Sequence, residues 1–159
     1  MIGLLKDILA TRPKNVRLLG MDLGSKTIGL ALSDSAQRIA TPFKTVQRTK
    51  FTKDIEELKP VIRDYEIGGY VLGFPLNMDG SERPRCDSVR SFAQEMENYP
   101  QIFGIKPWIA LWDERLSTAT VEDFLVDVVD MSRTKRKQVI DKLAAQLILK
   151  SALDFAGMT

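Results

Sequence analysis

Residues 18–34 read LLGMDLGSKTIGLALSD, and the fold turns on how this stretch is read. Two apolar runs flank Gly24, Ser25 and Lys26, a pattern that predicts two antiparallel strands joined by a tight glycine turn. The first run carries Asp22 at its end. Asp ahead of Gly is common in hairpin turns, which by itself accounts for the residue. A second role for Asp22 depends on whether other segments bring further acids to the same place.

Outward from the hairpin, strands and helices alternate. IATPFKTVQR (39–48) predicts a third, edge-like strand, because Pro42 cannot donate to a ladder on both sides. Between Phe51 and Tyr65, the residues Ile55, Leu58, Ile62 and Tyr65 recur at helical spacing, with Pro60 expected to kink that helix or delay its start. GGYVLGFP (68–75) is a short apolar run suited to a buried parallel strand, and LNMDGSERPR (76–85) is a polar loop. SVRSFAQEM (88–96) places Val89, Phe92, Ala93 and Met96 on one helical side, and KPWIALWDE (106–114) predicts another strand. STATVEDFLVDVV (117–129) predicts a helix capped by Ser117 or Thr118. After a break near Met131, TKRKQVIDKLAAQLILKSALDFA (134–156) predicts a long helix whose stripe of Ile140, Leu143, Ala144, Leu147, Ile148 and Phe155 packs on a sheet. IGLLKDILAT (2–11) has a short amphipathic helical pattern within an N-terminal extension, residues 1–14. The expected architecture is one α/β domain with a mixed sheet flanked by helices.

Composition narrows the chemistry. The chain has 159 residues, a formal net charge of +2, one cysteine and no histidine. Lack of histidine excludes a Ser-His-Asp triad, a Cys-His pair and imidazole-based zinc or iron sites. A single cysteine, Cys86, suits a reducing compartment. With no membrane-length apolar run and no basic-then-apolar leader, the expected location is cytoplasmic.

The remaining chemistry rests on carboxylates. WIALWDER repeats the pattern of the first strand, an apolar run ending in Asp113 and Glu114. In open α/β sheets ligands bind at strand ends, so two acid-tipped strands can converge. Asp141 lies in VIDKLAAQLIL, sharing a helical side with Ala144, Ala145 and Ile148. It therefore borders a packed face, where a carboxylate is costly unless hydrogen-bonded, paired or metal-bound. Three acids on separate elements, without histidine, point to a hard cation, Mg²⁺ or Mn²⁺. Two such ions ~3.5–4 Å apart activate water and stabilise a leaving oxygen, which favours phosphodiester hydrolysis.

Basic residues lie near these acids. Arg83 and Arg85 sit in the amide-rich loop after GFP, where a solvated connection and a phosphate-binding loop fit equally well. Arg133, Lys135, Arg136 and Lys137 open the last helix, against its macrodipole, so helix stability does not account for them. Their proximity to Asp141 favours contact with a nucleic-acid backbone. Nothing indicates base-specific readout.

The segments MDLGSKTIGLALSD, VLGFPLNMDGSERPR, LWDERLSTATVE and DKLAAQLILKSALD, taken in this order, resemble the motifs of the YqgF/RuvX family. Members of that family go by the names pre-16S rRNA nuclease and Holliday junction resolvase. The resemblance implies a ribonuclease H-like fold with a divalent-metal acid site. By position it implies Asp22, Glu114 and Asp141 as the acids, with Asp113 as a weaker candidate. It also implies Arg115 and Ser117 as supports or phosphate contacts. Lys26, in the hairpin turn, joins the candidate nucleic-acid contacts. Two positions depart from the family's usual pattern: Thr27, where arginine is common, and Arg83, where glycine is common.

The expected function is a metal-dependent endonuclease acting on structured RNA, maturing the 5′ end of pre-16S rRNA, with ribosomal precursor particles as partners. A close alternative keeps the chemistry and changes the substrate to branched DNA, since backbone contacts dominate both. A non-catalytic RNA-binding module on the same fold is a further alternative, weakened by the presence of all three acids. A sugar-kinase-like phosphotransferase would need a second Asp-x-Gly loop and a larger, two-lobed chain.

Overall fold

In the computed structural model, residues 1–116 and 133–158 are described. The expected helix at 117–129, with its capping Ser117 or Thr118, and the break near Met131 lie outside the described residues.

The strands are β1 (Ile2–Leu4), β2 (Arg17–Leu23), β3 (Thr27–Ser33), β4 (Ala40–Gln47), β5 (Ile67–Phe74) and β6 (Ile109–Asp113). The helices are α1 (Leu5–Ile8), α2 (Phe51–Asp64), α3 (Pro84–Glu97), α4 (Pro100–Phe103) and α5 (Arg133–Gly157). One sheet takes the order β1-β6-β5-β2-β3-β4. β2, β3 and β4 pair antiparallel, whereas β2–β5, β5–β6 and β1–β6 pair parallel. This is the mixed, helix-flanked sheet the sequence predicts. β4 is an edge strand, and its register shifts next to Pro42, as the missing N–H requires.

Two sequence expectations need correction. Residues 2–11 are not one helix: Ile2–Leu4 form β1 at the far edge of the sheet, and helix is confined to α1 and a 3-10 turn at Leu9–Thr11. Three residues are too few to show an alternating pattern, and their partner β6 is about a hundred residues away in sequence, so local periodicity carries no trace of this strand. Pro60 does not delay α2, which starts at Phe51 and runs through the proline. Asp54 secures that start, its buried carboxylate accepting hydrogen bonds from the Thr49 N–H (2.9 Å) and hydroxyl (3.1 Å).

The period-2 alternation of strands splits the sheet into unlike faces. On one, Leu19, Met21, Leu23, Ile28, Leu30, Tyr70, Leu72, Phe74, Ile109 and Leu111 form a bulky apolar layer under α2, α3 and α4. The other face carries Leu18, Ala31, Val71, Ala110 and Trp112 and packs on α5 and α1. Glycines complete this second face. A Cβ on Gly20 would lie 2.8 Å from Leu149 Cβ, and one on Gly29 would lie 2.0 Å from the Asp141 carbonyl oxygen. The sheet is thus flattened where α5 crosses β2 and β3, which lets that helix lie against the backbone.

A candidate acidic nuclease site

Alternation also decides where Asp22 points. Leu19, Met21 and Leu23 belong to the bulky layer and Leu18 to the other, so Asp22 shares the α5 face with Leu18 and Gly20. Opposite Asp22 on β3 stands Gly29, against which the backbone of Asp141 is pressed. Asp22 and Asp141 therefore meet across the closest approach of helix and sheet.

Glu114 follows β6 in a 3-10 turn. β2, β5 and β6 are mutually parallel, so Asp22, the loop after β5 and Glu114 all emerge at the same end of the sheet. A Cβ on Gly73 would lie 2.7 Å from Glu114 Oε1. The Glu114 carboxylate accordingly folds over β5 toward the α5 face.

Electrostatics tie the acids together through Asp22. Burial pushes the Asp22 carboxyl up to about 6; the Arg85 guanidinium opposes that shift and the negative charge of Asp141 adds to it. Burial also pushes Glu114 up to about 7, and the negative charge of Asp22 adds to the rise while Arg85 and Arg83 oppose it. Among the described residues neither carboxylate makes an ion pair at contact distance. Nor do any three acidic, cysteine or histidine groups there stand close enough to hold one metal ion. The arrangement is two coupled pairs sharing Asp22.

Asp113 is differently placed. Arg115 donates to it from Nη2 to Oδ2 at 2.7 Å, from Nε to Oδ1 at 3.0 Å and from its backbone N–H to Oδ1 at 3.0 Å. This pairing holds the Asp113 carboxyl below the usual range and leaves little of it for a cation. Arg115 also reaches the Met78 carbonyl at 3.3 Å. In this structure the pair ties the loop after β5 to the end of β6.

The other basic candidates divide. Lys26 is exposed at the hairpin turn and Arg83 is exposed in the loop, its Nε donating to Asn77 Oδ1 at 2.9 Å. Arg85 Nη2 donates to the Leu23 carbonyl at 3.1 Å, next to Asp22. Lys135 is exposed on α5. Ser117 and the side chains of Arg133, Arg136 and Lys137 lie outside the described residues.

Two contacts of this site escape a reading of the sequence. Arg48, just past the edge strand, donates from Nη1 to the Gly24 carbonyl at 2.6 Å, so two guanidiniums brace the backbone at Leu23 and Gly24. The buried Thr27 hydroxyl donates to Asp141 Oδ2 at 2.6 Å. Neither carries a local signal, since the Thr27–Asp141 contact spans 114 positions.

Comparisons with known proteins agree with this architecture. The family described as "RuvX: Holliday junction resolvase" matches residues 16–155. The protein "Putative pre-16S rRNA nuclease" of Rhodospirillum centenum is 51% identical over 150 residues, covering 94% of this chain and 79% of that one. Its namesake in Paramagnetospirillum magneticum is 53% identical over 148 residues, covering 93% and 92%. Among solved structures, T. thermophilus RuvC in complex with a Holliday junction substrate is similar with a TM-score of 0.51 at 11% identity, over 90% of this chain and 96% of that one. At that identity the likeness speaks for the fold alone, a ribonuclease H-like one. The family match over most of the chain, with relatives about half identical throughout, makes this protein a member of the RuvX (YqgF) family.

Proposed function

We propose that this chain is a divalent-metal-dependent endonuclease that hydrolyses phosphodiester bonds in structured RNA, maturing the 5′ end of pre-16S rRNA. What supports the reading is that Asp22 and Glu114 emerge at the shared end of three parallel strands, with the Asp141 backbone pressed on Gly29 opposite Asp22. The relatives' name supplies the substrate.

The residues fit a hard cation. Their donors are all carboxylate oxygens, and two of these acids are half-buried beside like charge, with no contact ion pair among the described residues. As two pairs sharing Asp22, Asp22 with Glu114 and Asp22 with Asp141 would hold Mg²⁺ or Mn²⁺, with Asp113 committed to Arg115. When bound, the ion supplies Lewis acidity toward the scissile phosphate and an acidified water. The chain's own contribution is positional. Glycines at 29 and 73 bring α5 and Glu114 against the sheet. Arg85 lends positive charge beside Asp22, and Lys26 and Arg83 line the approach to the site for a phosphate backbone.

A second reading, resolution of a four-way DNA junction, is favoured by the family's description and by the RuvC-like fold. Both substrates present the same backbone chemistry. The test compares a precursor rRNA fragment with a four-way DNA junction, in Mn²⁺ or Mg²⁺, for wild type and Asp22→Asn. Cleavage of the RNA that needs metal and Asp22 is expected. Junction cleavage alone would transfer the reading to DNA, and no metal-dependent cleavage of either would end it.

A further inference from the structure

We infer that Thr27 is a positioning residue for this centre: its hydroxyl sets the orientation of the Asp141 carboxylate toward Asp22. The inference rests on the proposed nuclease reading and assigns Thr27 a task within it.

Thr27 is the first residue of β3 and is 6% exposed. Its hydroxyl donates to Asp141 Oδ2 at 2.6 Å, within the short range of an O–H to carboxylate bond. A buried hydroxyl needs a partner, which would alone account for the contact. Three features go beyond that. First, the Asp141 backbone is already fixed independently of Thr27, pressed on Gly29, with no room for a single added carbon. The hydroxyl is left to set the side chain. Second, Thr is stiff about χ1 and lies at the start of a fully buried strand, so the donor itself is held. Third, the bond occupies one oxygen of a carboxylate whose negative charge already reaches Asp22. Without the hydroxyl, Asp141 can turn away from Asp22, which relieves repulsion but disperses the donors. Outer hydrogen bonds to metal-binding carboxylates act in this way, and losing them costs roughly 10- to 100-fold in affinity or activity.

The test uses Thr27→Val, which keeps shape and removes the hydroxyl, and Thr27→Ser, which keeps the hydroxyl. Mn²⁺ binding is measured by calorimetry in the absence of nucleic acid, alongside kcat, KM and thermal melting. Thr27→Val is expected to weaken Mn²⁺ by roughly 10-fold or more and to lower kcat similarly, with KM nearly unchanged. Thr27→Ser is expected to restore most of both. Should the valine variant fail to fold, Thr27→Ala is compared with Thr27→Ser by the same two measurements. Wild-type Mn²⁺ affinity and kcat in a folded variant lacking the hydroxyl would overturn the role of Thr27 while leaving the nuclease reading intact. Equal losses in the serine and hydroxyl-free variants would overturn it too, by assigning the effect to the methyl group. A wild-type protein that neither binds Mn²⁺ nor cleaves would overturn both.

Discussion

At the level of single residues, the half-buried carboxylates Asp22 and Glu114 set an expectation for pH. Glu114 is raised to about 7 and Asp22 to about 6, from 4.5 and 3.8. Between the ordinary and raised values the folded chain binds more protons than the unfolded one, so stability falls as pH rises through that window. The metal-free protein is therefore expected to be more stable at pH 5 than at pH 8 where these groups are concerned. Glu114→Gln should stabilise the metal-free protein at pH 8 by on the order of 1–3 kcal/mol, allowing for partial exposure. Urea denaturation in chelator at the two pH values measures this. An equal difference between wild type and variant at both would show that Glu114 carries no such penalty. Its neighbour Asp113 is expected to behave differently, because its charge is spent on Arg115. Asp113→Asn should leave Mn²⁺ affinity near that of wild type, by calorimetry, while releasing the loop anchored at Met78. A collapse of affinity matching that of Asp22→Asn would make Asp113 a ligand after all.

At the level of elements, glycines decide how close α5 comes to the acids, and two of them should fail differently. A Cβ on Gly29 meets a backbone carbonyl at 2.0 Å, which cannot move without shifting the helix. Gly29→Ala is expected to destabilise by about 1–3 kcal/mol or more and to abolish cleavage. A Cβ on Gly73 meets Ile148 Cδ1 at 2.6 Å and Glu114 Oε1 at 2.7 Å, both at the ends of flexible side chains. Gly73→Ala should cost less stability yet displace Glu114, lowering kcat in a protein that melts near wild type. Thermal melting and single-turnover rates separate the two; a Gly29→Ala protein as stable as wild type would contradict the close packing. Much of this level was legible in the sequence. The hairpin, β4 with its proline, β5, α2, α3 and β6 each follow from period and punctuation, and MDLG, WDER and VIDK mark the acids. What was not legible is non-local. β1 exists because β6 offers a free edge, Arg48 because the hairpin turns beneath it, and the Thr27 contact because α5 folds back onto β3. Adjacent acids in WDER part ways, one facing Gly73 and the other held by Arg115, a division that letters alone do not carry.

At the level of the whole molecule, a net charge of +2 is too small to draw a polyanion to every surface, so affinity must come from where the charge lies. Lys26, Arg83 and Arg85 surround the end of the sheet that holds Asp22 and Glu114. Lys106 precedes β6 and lines a hollow with Met1 and Glu97 at the opposite end. Arg85 is also tied to the Leu23 carbonyl, so its removal would mix binding with structure. Lys26 makes the cleaner probe. If the nucleic-acid backbone crosses the acidic end, each lost phosphate contact removes one released counterion. Lys26→Ala is then expected to reduce the slope of log K against log salt by about 1 for both an rRNA fragment and a DNA junction. Lys106→Ala should leave that slope alone. Binding titrations in chelator over a series of salt concentrations measure this without cleavage. Equal effects of the two substitutions would mean the chain holds its substrate by diffuse charge, and the acidic end of the sheet would lose its claim to be where the backbone lies.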